Sequence, residues 1–169
     1  MAWSSRGRPS NAPASFINLC QPTVTGRPPS GRDWVHELKH DGYRLQVHVR
    51  DGRVRLYTMN GADWPKRYPL IIEGAARIEG SAIFDAEADW LDSDLVADFE
   101  ALHSRANGER ASACAFDLLM FNDDDLRRRP CFARSCVGRA NGIQYVGHVA
   151  GVWAGLFEAV CKLGLEGLS

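Results

Sequence analysis

Lys39 lies in the run Glu37-Leu38-Lys39-His40-Asp41-Gly42-Tyr43-Arg44, which puts an amine, a guanidinium, two carboxylates and a glycine within one short stretch. A lysine amine is a nucleophile only when deprotonated. A free lysine, with a pKa of about 10.4, is almost wholly ammonium at neutral pH. Nearby cations and partial burial lower that value, and Arg44 or a bound metal ion would serve as the cation. Gly42 would let backbone approach a ligand closely. Taken alone, K-H-D-G-Y-R is an equally good polar turn between two strands.

The flanking elements decide where these groups point. Asp33 to Leu38 reads as a short strand, and order is expected to begin at Asp33. After Gly42, Tyr43, Leu45, Val47 and Val49 alternate with Arg44, Gln46, His48 and Arg50, the period of a strand. Asp51-Gly52 is a two-residue hairpin signal, because both positions tolerate positive φ. The alternation resumes with Val54, Leu56 and Thr58 opposite Arg53, Arg55 and Tyr57, predicting a hairpin with one apolar and one basic face. Pro65 to Ile78 reads as a helix with Pro in its first turn. Ser81 to Leu91 reads as a strand, Ala97 to Arg105 as a short helix, and Ser112 to Phe121 as an apolar strand ended by Asn122 to Asp125. Val149, Val152, Trp153, Leu156, Phe157, Val160 and Leu163 follow helical spacing and predict an amphipathic helix stopped by Gly164. The pattern predicts an α+β fold with mainly antiparallel sheets and packed helices.

The whole chain sets bounds on these readings. It has 169 residues, enough for one domain with a real core. The net charge of −1 gives no global attraction to nucleic acid, so contact with DNA would need local basic patches such as the hairpin face or Arg127-Arg128-Arg129. Asp123 to Asp125 would partly cancel the latter. Cys20, Cys114, Cys131, Cys136 and Cys161 are irregularly spaced, as expected of free thiols in a reducing compartment. A zinc site from Cys131, Cys136 and His148 fits no common spacing. Residues 1–16, rich in Ser, Pro, Gly and Arg, predict a flexible leader. No run has signal-peptide or membrane-span character, so a cytoplasmic protein with no membrane partner is expected.

The run around Lys39 resembles the nucleotidyl-lysine motif of DNA ligases, RNA ligases and mRNA capping enzymes. Further segments fall in family order. Leu56 to Trp64 with Arg67-Tyr68-Pro69 resembles L-x-T-R-N-G-x-D-W…R-(F/Y)-P, Phe84-Asp85-Ala86-Glu87 resembles the D-G-E element, and Ala115 to Leu119 matches A-F-D-L-L. Asp125-Leu126-Arg127 matches D-L-R, and Leu163 to Leu168 matches the start of G-L-E-G-(I/V)-V-x-K. The resemblance covers about Ile17 to the last residue. It is nearest the ligase domains of bacterial end-joining ligases, where W-V-H-E-(I/L)-K-x-D-G-Y-R is typical.

The resemblance implies an ATP-dependent DNA ligase adenylation domain over residues 17–169, with an incomplete nucleotidyltransferase fold. Lys39 and Arg44 would be catalytic. The lysine amine would attack the α-phosphate of ATP and hold AMP through a P–N bond. Glu37, Lys39, Asp41, Gly42, Arg44, Glu87, Phe116 and Glu166 would form the nucleotide site. Within it Glu37 would read the adenine amino group, Arg44 would hold ribose or phosphate, and Phe116 would stack on adenine. Glu87 and Glu166 would hold Mg²⁺ or Mn²⁺. The implied substrate is nicked or broken double-stranded DNA, and the implied partners are end-joining or repair proteins. Alternatives are an RNA ligase or capping-type enzyme, against which the D-W-V-H-E-L-K and N-G-x-D-W contexts argue, and a non-catalytic nucleotide-binding fragment.

The sequence departs from the family pattern in three places. Met59 stands where the pattern has Arg, losing its charge and bidentate donors. Ala86 replaces the Gly of D-G-E, a small change unless positive φ is required. The chain ends at Ser169, before the family's V-x-K and K-x-K lysines and its OB-fold. From this the sequence predicts weak or absent activity, with sheet edges left unpaired.

Overall fold

A computed structural model describes residues 16–21, 23–25, 29, 31–64, 66–91, 97–129, 142–151 and 167–168. Nine strands, β1 (Gly31–Lys39), β2 (Tyr43–Arg50), β3 (Arg53–Thr58), β4 (Ser81–Asp89), β5 (Ser112–Phe121), β6 (Asp124–Asp125), β7 (Ile143–Tyr145), β8 (His148–Gly151) and β9 (Gly167–Leu168), are the main elements among the described residues. The helices among these residues are few and short: α1 (Pro69–Ala75), α2 (Phe99–His103) and a 3-10 turn over Arg105–Arg110.

A six-stranded sheet runs β3-β2-β4-β5-β6, with β7 added to β5 in parallel. Its remaining ladders are antiparallel. A second, three-stranded sheet runs β8-β1-β9. The hairpin joining β2 to β3 turns through Asp51 at φ 50° and Gly52 at φ 74°, as the Asp-Gly pair predicts. Asn122 and Asp123, at φ 46° and 70°, make a second turn of that kind, so the acidic run after β5 closes a small hairpin with β6.

The sheet's two faces differ sharply. On one, Leu45, Val47, Val49, Leu56, Phe84, Ala86 and Ala88 pack against Tyr68, Ile71, Ala75 and Leu102 to form the main core. On the other, Ile17, Leu19, Ile83 and Leu119 make a smaller apolar cluster. Phe16, Ile17 and Leu19 therefore pack on the sheet, earlier than the expected start of order at Asp33. Gln46, fully buried, fastens them: its side chain accepts from the Ile17 amide at 3.1 Å and donates to the Ile17 carbonyl. Phe16 packs edge-on against Tyr57.

This narrows the basic face expected of the β2–β3 hairpin. Gln46 is covered, and His48 is held down to about 4 by burial. Only Arg50, Arg53 and Arg55 project into solvent there. Two helix boundaries also shift. Trp64 to Arg67 forms a turn through the Arg67 amide and Trp64 carbonyl, so α1 starts at Pro69 rather than Pro65. The helix expected at 97–105 is shorter, running from the Asp98 cap, which accepts from the Ala101 amide, to His103. Val149 to Gly151, read as the start of an amphipathic helix, instead forms β8 and supplies the backbone partner that β1 needs. The rest of that expected helix, Glu166, Cys131, Cys136 and Cys161 lie outside the described residues.

Candidate functional site

The alternation of β2, β4 and β5 builds one polar patch on the sheet face away from the main core. Arg44 lies in register with Glu87, and Glu87 with Cys114. Because side chains alternate, Arg44 on β2 and Asp85, Glu87 and Asp89 on β4 project to the same side. β5 interrupts its own alternation. Asp85 pairs with Asp117 and Ala86 with Ala115, so Phe116 is an extra residue bulged out of the ladder. A bulge re-aims a side chain, and here the Phe116 ring comes to lie 5.4 Å, centroid to Cζ, from the Arg44 guanidinium.

Arg44 is clamped. Its Nε donates to Asp85 Oδ1 at 3.0 Å and its Nη2 to Asp85 Oδ2 at 2.7 Å, a bidentate pair with Asp85 almost completely buried. Asp85, the partner that fixes Arg44, has no role in the sequence reading. Its signal was present: the strand period puts it on the Arg44 face. Burial pushes Asp85 up to about 6, against the opposing pull of Arg44. Burial also pushes Glu87 up to about 7. Arg44, Lys39 and His40 oppose this rise and Asp85 adds to it. For Arg44, burial is outweighed by Asp85 and Glu87, which raise its pKa.

Lys39 is the last residue of β1 and is exposed. The partial burial expected of it is not found; among the described residues its strand neighbour is β9, through Gly167. Its charge still reaches Glu87. Asp41 is exposed on the turn and Glu37 is half-buried, with its backbone in register with His148. Gly42 is also required by the fold itself. A Cβ there would lie 2.0 Å from the Ala88 carbonyl oxygen, so glycine is required by the approach of the turn to β4. Ala86 sits in regular strand, fully buried and without positive φ, so it fits without strain. Met59 is 44 % exposed and receives a contact from Gln21 Nε2 at 3.6 Å. Arg127 is tied to Asp125, so the arginine run is partly neutralised at its start. The structure thus brings Lys39, Arg44, Glu87 and Phe116 together.

An open cleft of about 540 Å³ lies elsewhere, beside the helices, lined by Trp64, Lys66, Arg67, Leu102, Ser104 and Glu109. It lacks the lysine and carboxylates of the sheet-face patch, which is therefore the better site.

Breaking the clamp gives a signed expectation. Arg44→Ala leaves the Asp85 carboxylate buried and unpaired, which destabilises by about 3 kcal/mol. Asp85 is already raised, so its protonated form is favoured in the fold. Its contribution to stability is complete below the unfolded carboxylate range and is lost as pH rises through about 6. Losing Arg44 raises it further. Urea unfolding should therefore show a larger Arg44→Ala defect at pH 8 than at pH 5, with recovery in Arg44→Ala/Asp85→Asn.

Comparison with known proteins is consistent with this geometry. Residues 20–137 match the model of a family described as the ATP dependent DNA ligase domain. The chain is 35 % identical over 163 residues to the multifunctional non-homologous end joining protein LigD of Pseudomonas aeruginosa, spanning 86 % of this chain and 19 % of that protein. It is 31 % identical over 124 residues to the bifunctional LigD of Bacillus subtilis, spanning 63 % of this chain and 20 % of that one. The chain thus spans about a fifth of these relatives. Among solved structures, a mycobacterial DNA ligase D complexed with ATP and MES superposes with a TM-score of 0.72 at 29 % identity, over 82 % of this chain and 48 % of that one.

Proposed function

The chain belongs to the ATP-dependent DNA ligase family, and on that premise we propose that residues 17–169 are part of an adenylation domain that takes AMP from ATP onto Lys39. The observation that carries this is the convergence of Lys39, Arg44, Glu87 and the bulged Phe116 on one sheet face. The Lys39 amine attacks the α-phosphorus, a P–N bond forms, and pyrophosphate leaves. Arg44, held rigid by Asp85, positions a ribose or phosphate oxygen, and Phe116 offers a half-buried ring to the base. Glu37, Asp41 and Gly42 border the nucleotide. AMP then passes to the 5′-phosphate of nicked or broken double-stranded DNA, and the 3′-hydroxyl displaces it. The proposed setting is end-joining repair in the cytoplasm, with repair proteins as partners.

The donor set fits a hard divalent cation. Glu87 is a carboxylate that burial disfavours and that nearby cations only partly compensate, so Mg²⁺ or Mn²⁺ against its oxygens is favourable. Glu166 is proposed as the second ligand. When bound, the ion neutralises phosphate charge.

Incubating the chain with ATP and Mg²⁺ and measuring its intact mass tests the reading, with one added AMP per chain expected. No adduct despite ATP binding by calorimetry would overturn transfer and support a nucleotide-binding role alone. Met59, exposed and without charge, favours that second reading. No adduct and no binding would sink both.

A further inference from the structure

Three side chains beside the proposed AMP-accepting site converge without a part in it. His40 follows Lys39, Asp89 ends β4, and Cys114 lies near the start of β5. Their candidate ligand atoms all lie within 4.8 Å of one another. Asp89 is completely buried. Its Oδ2 is approached by His40 Nδ1 at 3.1 Å and Cys114 Sγ at 3.0 Å, while its Oδ1 accepts from Ser112 Oγ at 2.9 Å. Cys114 is buried with a free thiol.

We propose that His40, Asp89 and Cys114 form a binding site for a thiophilic divalent metal ion, of which Zn²⁺ is the best fit. A buried carboxylate is costly unless paired or bound to a metal, and here one oxygen is shared by an imidazole and a thiol. Imidazole, thiolate and carboxylate together select zinc-like ions, whereas Mg²⁺ takes oxygen donors. Tetrahedral zinc with bonds of about 2.0–2.3 Å needs ligand atoms roughly 3.5 Å apart, which the existing spacing meets with small adjustments. Ser112 acts as the outer partner that orients the Asp89 carboxylate. Three protein ligands leave a fourth position for water, on the side where His40 reaches solvent. On binding, a metal–sulfur bond forms, the Cys114 thiol proton leaves to solvent, and His40 donates its neutral Nδ1 lone pair. The ligands differ from the carboxylates assigned to Mg²⁺ or Mn²⁺, although Glu87 is the cross-strand neighbour of Cys114. Occupancy would also immobilise the turn that follows Lys39.

Titrating the full chain with Co²⁺ as the spectroscopic probe tests the site, and Zn²⁺ should displace it. One equivalent of Co²⁺ with a thiolate-to-metal absorption band is expected. Cys114→Ser should abolish the band, and His40→Gln, at a half-exposed position, should weaken binding about tenfold or more. Circular dichroism confirms that each variant is folded. His40→Gln is the fallback should Cys114→Ser disturb the core. Absence of saturable binding overturns the proposal. So does a band that survives both substitutions, which would place the metal on other thiols.

Discussion

Lys39→Ala is expected to remove covalent AMP labelling altogether, a fall on the order of 10⁴-fold or more in the rate of adduct formation. Lys39 supplies the primary amine beside the patch, whereas the other deprotonatable nitrogen nearby, His40 Nδ1, is turned to Asp89. Lys39→Arg sharpens the test. It preserves a positive charge that opposes the rise of Glu87, but a guanidinium stays protonated at any working pH. A purely electrostatic role for position 39 would leave the arginine variant partly active. A nucleophilic role leaves both variants unlabelled while ATP binding persists. Intact mass and calorimetry on the same samples separate the two.

Gly42→Ala is expected to lower stability by about 4 kcal/mol or more, at the upper end for a single substitution. The added methyl would meet the Ala88 carbonyl oxygen at 2.0 Å. That atom is backbone, in the ladder where Tyr43 pairs with Ala88, so no rotamer change can relieve the clash. Either β2 slides against β4, losing the Arg44–Glu87 register, or the turn after Lys39 lifts away. Both also damage the site, so urea unfolding and AMP labelling should fall together. A variant of full stability that merely loses labelling would point instead to contact between Gly42 and nucleotide.

These expectations draw unequally on the sequence. Asp51-Gly52 and the alternation on either side announced the hairpin, since turn chemistry and strand period are local properties. Ser112 to Phe121 was equally legible, and its bounds agree with those of β5. Arg44 and Glu87 were found through motif order, but nothing local says that they face each other across a ladder. The bulge at Phe116 arises from a mismatch between two strands, and neither strand shows it alone. Val149 to Gly151 was misread because its apolar residues fit helical spacing, whereas the unpaired backbone of β1 decides its state. Asp89 went unnoticed for a similar reason. A carboxylate at a strand end reads as exposed until His40, Ser112 and Cys114 are seen around it.

Gln46 carries a wider meaning. Its carboxamide gives one hydrogen bond to Ile17 and takes one from it, so the side chain behaves as a substitute peptide group and Ile17 is docked as though on a neighbouring strand. Glutamate at position 46 could accept but, when ionised, could not donate. A hydrocarbon could do neither and would leave the Ile17 backbone orphaned against the sheet. Ile17, where the expected leader gives way to the domain, is thus keyed to the sheet, and a shortened version of this protein should begin upstream of Phe16.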